Sequence, residues 1–235
     1  MNRYLIGGLL TEVDAECARL ERLGQLYATD KPGQPDIEIK ISAEAMRRAQ
    51  EKYSYLPPDE VAYMVTGSVF YHRAVQFNAL LLHSSAIEVD GRAYCFSANS
   101  GTGKSTHTGL WQKYLGEQRV RLINDDKPLL RRNGEQFFAC GTPWSGKTDL
   151  NRNVTVPLKA IVFIKRGLNN TVRPLTGAQA VPLLYEQTVK PKSPELMSAM
   201  LQTADELLRT VPVLELSCNM SEEAVRVSYE ALSKL

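Results

Sequence analysis

The stretch Ala98-Asn-Ser-Gly-Thr-Gly-Lys-Ser-Thr106 constrains this chain more than any other. It fits the pattern of a phosphate-cradling loop, with Ala98 at the leading glycine position and Gly103-Lys104-Ser105 closing it. Gly101 and Gly103 can take positive φ, which lets backbone N–H groups face phosphate oxygens. Lys104 reaches the terminal phosphates and the Ser105 hydroxyl can ligate Mg²⁺. A helix opening at Lys104 would bring its positive end to the same anion. Ala93–Ser97 reads as a buried strand entering the loop, and Lys104–Tyr114 as a helix carrying Leu110, Trp111 and Tyr114. Strand, glycine loop and helix are the context that this motif requires. The rival reading is a Gly/Ser turn that merely spells GKS.

With 235 residues, the chain can form one large domain, or one domain with a small extension. Hydrophobic residues make up 43% and charged residues 23%, so neither a disordered nor a membrane class is indicated. A net charge of +2 gives no reason to expect a nucleic-acid partner. No apolar run approaches the roughly 18 residues of a transmembrane helix, and no signal peptide is evident. Cys17, Cys95, Cys140 and Cys218 are scattered without a CxxC pair, which reads as reduced, buried thiols in a cytoplasmic protein.

Residues 1–80 read as an α+β extension. Tyr4–Ile6 is a candidate strand. Thr11–Tyr27 spaces Val13, Cys17, Leu20 and Leu23 at helical intervals, and Asp36–Ile41 alternates as a half-buried strand. Ser42 caps a helix to about Tyr53, and a second helix runs from Asp59 to Thr66, with Gly67 as its stop. The Gly/Pro loop Thr29–Pro35 is the best linker candidate.

Residues 81–235 carry stronger signals. Ala86–Phe96 reads as a hairpin turning at Asp90-Gly91, and Leu129–Ala139 as another turning at Asn133-Gly134. Val120–Ile123 reads as a strand leading into Asn124-Asp125-Asp126. Lys159–Ile164 is a nearly continuous apolar strand, as inside a covered sheet. Thr176 and Gln179 form a capping-box pattern, Ser193-Pro194 opens a helix over 195–209, Val211–Leu216 is a strand, and Ser221 caps a last helix. The alternation of strands and helices predicts an α/β fold.

Asp125-Asp126 falls at the carboxyl end of a predicted strand, downstream of the glycine loop, where a nucleotide enzyme places its metal carboxylate. Two adjacent acids allow one to hold Mg²⁺ and the other to accept a proton from an attacking hydroxyl. Asn-Asp-Asp is also ordinary turn chemistry. His83 precedes the strand that leads into the loop hairpin and can approach the same place. His72 and His107 look weaker. Gly141-Thr-Pro-Trp-Ser-Gly-Lys147 offers glycines and a lysine for a second phosphate or an acidic substrate group, with Trp144 as a wall; Asn151, Arg152 and Asn153 extend it. A purely structural turn is the alternative there.

SGTGKST, the Asp-Asp pair and the upstream histidine together resemble the C-terminal domain of the HPr kinase/phosphorylase family. The glycine loop is also similar to that of ATP-dependent phosphoenolpyruvate carboxykinase. The likeness covers about residues 80–165. It implies a P-loop nucleotide-binding core of that type, a mixed sheet with flanking helices, and a kinase that uses ATP and Mg²⁺. Ser100, Gly101, Thr102, Gly103, Lys104, Ser105 and Thr106 would bind the ATP phosphates, Ser105 and Asp125 would serve Mg²⁺, and His83 and Asp126 would lie at the phosphoryl-transfer centre. Trp144, Lys147 and Arg152 are candidates for the acceptor side. GTPWSGK stands roughly where the HPr kinase family carries its arginine-glycine signature, so the acceptor is open among a protein, a peptide and a small molecule, as is a homo-oligomer. Carboxykinase-like transfer on a small carboxylate and a non-catalytic ATP sensor are the alternative functions.

Overall fold

The computed structural model describes residues 1–235. A tight hairpin begins the chain. β1 (Asn2–Ile6) and β2 (Leu9–Asp14) pair antiparallel with Ile6 opposite Leu9, and Gly7 and Gly8 take φ of 55° and 81° between them. Two consecutive positive φ values suit glycine and match the strand twist. Thr11–Tyr27 is therefore not one helix, as its periodicity predicts. Leu9, Thr11 and Val13 alternate inward along β2, and the helix α1 occupies only Ala18–Gly24. The short β3 (Ile37–Lys40) adds parallel to β2. Ser42 accepts a hydrogen bond from the Ala45 amide and opens α2 (Ala43–Lys52).

Gly67 does not end its helix. α3 runs from Pro58 to Ala74 straight through it, and a Cβ at Gly67 would sit 2.8 Å from Trp144 Cδ1. The glycine is there for close packing, not as a stop. The N-terminal elements share their core with later residues: Leu129, Cys140 and Trp144 pack among Tyr4, Ile39, Tyr63 and Phe70. β4 (Ala79–Leu81) joins the large sheet by pairing with β8 (Leu129–Asn133), so the expected boundary at residue 80 falls inside a strand.

The large sheet is mixed and curled. Its order is β4, β8, β9 (Gln136–Cys140), β10 (Thr155–Arg166), β6 (Arg92–Ser97), β5 (Ser84–Val89) and β7 (Val120–Asp126). β10 makes the curl. Its first residues pair antiparallel with β9, and its later ones pair parallel with β6 and with β12 (Val213–Cys218), which also carries β11 (Thr171–Pro174). Alternation splits the sheet between two cores. Ala93 and Cys95 of β6 and Ile161 and Phe163 of β10 face α5 (Gly177–Glu186) and α6 (Pro194–Thr210). Tyr94, Phe96, Ala160 and Val162 face α4 (Lys104–Leu115) and α7 (Glu222–Leu232). Coverage on both faces explains the unbroken apolar run in β10. The Thr176–Gln179 capping box forms as the sequence predicts. All four cysteines are free and buried. No helix is long and apolar enough to cross a membrane.

Candidate functional site

Register brings the site together. Ser84, the first residue of β5, lies opposite Ser97 on one side and Asp126 on the other. The end of β6, the start of β5 and the end of β7 therefore share one sheet edge. His83 stands just before β5, the glycine loop leaves β6, and Asp125-Asp126 close β7. Ser85 Oγ and Thr108 Oγ1, 2.8 Å apart and buried, pin α4 to the same edge.

The loop has the backbone that its glycines predict: φ is 76° at Gly101 and 120° at Gly103. α4 begins at Lys104, and no side chain caps its first turn. The helix start thus keeps donors for an anion. Lys104 is buried, and its Nζ donates to the Ala98 carbonyl at 2.9 Å. Burial lowers its pKa, while Asp126 and Asp125 work in the opposite direction.

The two carboxylates have different surroundings. Asp125 is 8% exposed; its Oδ2 accepts from Thr148 Oγ1 at 3.0 Å, and its buried Oδ1 has no hydrogen-bond partner. Asp126 Oδ1 lies 3.0 Å from His83 Nε2, and its Oδ2 lies 2.8 Å from Lys127 Nζ. Burial opposes ionisation of Asp126, but the His83 hydrogen bond and the Lys127 ammonium outweigh it and hold the carboxyl well below the usual range. On its other side, His83 Nδ1 lies 2.8 Å from Gln187 Oε1.

The segment 141–148 is folded onto the acidic pair. Asn124 Nδ2 donates to the carbonyls of Thr142 and Trp144, while its Oδ1 accepts from the amides of Asp126 and Lys127. At Gly146 a Cβ would lie 2.8 Å from the Asp125 carbonyl oxygen, so only glycine allows this approach. Arg19 of α1 secures the segment from outside, donating to the Gly146 carbonyl at 3.0 Å and to Asp149 at 2.6 Å.

The resulting cleft, about 650 Å³, is lined entirely by polar residues and glycines. It brings together His83, Ser100, Gly101, Gly103, Lys104, Ser105, Thr106, Asp125, Asp126 and Lys147 from the sequence reading. Thr102 lies on the loop's other side, where Arg166 donates to the carbonyls of Gly101 and Thr102. Four expected residues are elsewhere. Trp144 is no wall of the cleft: it is 1% exposed, stacked on Phe70 at 4.7 Å, with Nε1 donating to Thr66. Arg152 pairs with Glu88 at 3.1 Å, and Asn151 and Asn153 bond to Tyr27 and Leu26. Sequence reasoning missed Thr148, Lys127, Gln187 and Arg166. Thr148 and Lys127 flank flagged motifs and were within reach; Gln187 and Arg166 lie at the ends of α5 and β10 and carry no local signal.

Comparison with known proteins gives a family. The family model described as SynChlorMet cassette protein ScmC matches residues 59–224, a different family from the HPr kinases that the motifs resemble. No curated protein matches. Among solved structures, the HPr(Ser) kinase/phosphatase from Coxiella burnetii is similar with a TM-score of 0.38 and 10% identity, over 66% of this chain and 97% of that one.

Proposed function

We propose that this chain, which belongs to the SynChlorMet cassette protein ScmC family, is an ATP- and Mg²⁺-dependent kinase that phosphorylates a hydroxyl of a protein, peptide or small-molecule acceptor. One observation carries this reading. The register of β5 sets the glycine loop, Lys104, His83 and Asp125-Asp126 around a single cleft without apolar lining.

The loop amides and the uncapped first turn of α4 take the phosphates. Lys104 exchanges its contact with the Ala98 carbonyl for phosphate oxygens, and its charge opposes the negative charge that builds during transfer. Asp125 fits a divalent cation, because its Oδ1 is buried and lacks a donor, and Ser105 opens on the same cleft. Mg²⁺ is commonly held by one or two carboxylates together with water and phosphate. Bound there, the metal would supply charge neutralisation at the phosphates. Asp126 receives the proton of the acceptor hydroxyl, and His83 holds that carboxylate in place. A carboxylate held this strongly ionised is a weak base in the free protein. The approach of the acceptor and the neutralised phosphate must make the proton transfer favourable. Lys147 stands at the mouth as a contact for the acceptor.

The test is turnover of labelled MgATP with fractionated cell extract, with phosphorylated products identified by mass spectrometry. A product formed by the wild type and absent with Asp126→Asn is expected. Failure of the wild type to bind MgATP in calorimetry would overturn the reading. Binding without any transferred phosphate would leave a nucleotide sensor in its place.

A further inference from the structure

We propose that Gln187 is a positioning residue that couples the glycine loop to the His83–Asp126 pair, so that the state of the loop sets the orientation of the imidazole. The inference rests on the kinase reading for its consequence, but not for its geometry.

Gln187 follows directly on α5 and reaches three groups. Its backbone carbonyl accepts from the His83 amide at 2.8 Å. Its Oε1 lies 2.8 Å from His83 Nδ1. Its Nε2 donates to Asn99 Oδ1, in the glycine loop, at 2.8 Å. An unbroken chain of side-chain contacts thus runs Asn99–Gln187–His83–Asp126–Lys127. It starts on the loop proposed to close on phosphate and ends on the carboxylate proposed to take the proton.

His83 lies outside any strand, and the hydrogen-bonding partners of its imidazole are Gln187 and Asp126. Both of its nitrogens face side-chain oxygens, Nδ1 that of Gln187 and Nε2 that of Asp126. Without the carboxamide the imidazole can turn about χ2, and Asp126 loses an aligned donor. With the carboxamide present, a shift of Asn99 moves Gln187 and hence the ring. Gln187 also lines a second cleft of about 550 Å³ on the outer side of the loop, bordered by Phe163, Leu183 and Glu186. The coupling residue therefore stands between the two spaces that flank the loop.

Three variants separate positioning from simple support. Gln187→Leu removes both side-chain contacts. Gln187→Glu keeps an acceptor for Nδ1 and loses the donor to Asn99. Asn99→Ala cuts the link at the loop. The first readout is the ring ¹⁵N signature of His83 by NMR at one fixed pH, in nucleotide-free protein; with three histidines in the chain it is assignable. Gln187→Leu should change that signature most, and Gln187→Glu, which keeps the acceptor for Nδ1 but cuts the link to the loop, should change it as Asn99→Ala does. Asn99→Ala should perturb it in the wild-type background, with no further effect in either Gln187 variant. The second readout is kinetic: Gln187→Leu should bind MgADP as the wild type does, yet turn over MgATP about ten- to a hundredfold more slowly, the scale of a misplaced catalytic group. An unchanged ring signature in Gln187→Leu, or an equal effect of Asn99→Ala in all backgrounds, overturns the proposal. If the wild type shows no MgATP turnover, the kinase reading fails, and the ring signatures still decide the role of Gln187.

Discussion

Lys104 is a buried ammonium whose one hydrogen bond goes to a backbone carbonyl of its own loop. A charge stored in this way is available to a ligand and contributes little to the fold. Lys104→Ala should therefore lower MgADP affinity by about ten- to a hundredfold, the worth of a charge-assisted hydrogen bond. Its far-UV circular dichroism should stay that of the wild type. Calorimetry with unchanged affinity would remove the phosphate assignment of the loop. The acidic pair divides by environment. Asp125 has a bare buried oxygen, whereas Asp126 is enclosed by His83 and Lys127. Asp125→Asn should weaken nucleotide binding in a way that added Mg²⁺ partly restores. Asp126→Asn should keep MgATP bound while kcat falls by about 10²–10⁴, the usual range for losing an acid–base group. Exchanged phenotypes would exchange the roles of the two acids.

Elements show how packing overrides local preference. In the middle of α3, alanine is a better helix former than glycine by up to about 1 kcal/mol. Gly67→Ala should nevertheless destabilise the protein by about 1–3 kcal/mol, because the new Cβ would lie 2.8 Å from Cδ1 of the buried Trp144 ring. Equilibrium urea unfolding measures this, and a stabilised variant would mean that Trp144 has room to move. α4 contains a second such conflict. His107 is fully buried, accepts from Trp111 Nε1 at 3.0 Å, and leaves its own Nδ1 without a partner. Burial pushes its pKa down to about 4. The unfolded chain, near 6.5, binds the proton more readily than the folded one, so protonation takes nothing from stability above about pH 6.5. Below that, stability should fall steadily to about pH 4, by an amount of the order of a few kcal/mol. His107→Leu should flatten that slope even though Trp111 loses its acceptor. Denaturant titrations at pH 7 and pH 4.5 provide the comparison, and an equal slope in both proteins would rule out His107 as its source.

For the whole molecule, the N-terminal elements are part of the site's support. They bury Leu129, Cys140 and Trp144 of the later chain, and Arg19 of α1 holds the carbonyl of Gly146 against the acidic pair. A fragment beginning at residue 81 would expose those apolar side chains and free the segment 141–149. It should lack cooperative thermal unfolding and bind apolar dyes. A fragment that melts as sharply as the full chain would show that the larger sheet suffices by itself.

What the sequence determined was local. The positive φ at Gly101 and Gly103 and the helix start at Lys104 were legible because glycine spacing and the residues that follow encode them within nine residues. The Asp90-Gly91 turn, the Thr176–Gln179 capping box and the apolar run of β10 were legible for the same reason: each is decided by neighbours a few positions away. β2 was misread because the two-residue Gly7-Gly8 turn directs it back along β1, and a helical spacing beginning at Val13 masked its alternation. Only the tertiary structure decided the rest. The register of Ser84 against both Ser97 and Asp126 joins the loop, the histidine and the acids across 43 residues of chain from His83 to Asp126. Trp144 and Lys147 stand three positions apart in one polar-looking segment, yet one fills a core and the other faces the cleft. Gln187 acquires its partners only when α5 ends beside His83. Spacing encodes φ, caps and alternation, because those depend on adjacent backbone; which distant side chains meet depends on strand order and on the volume left between packed elements, and no short window of sequence contains either.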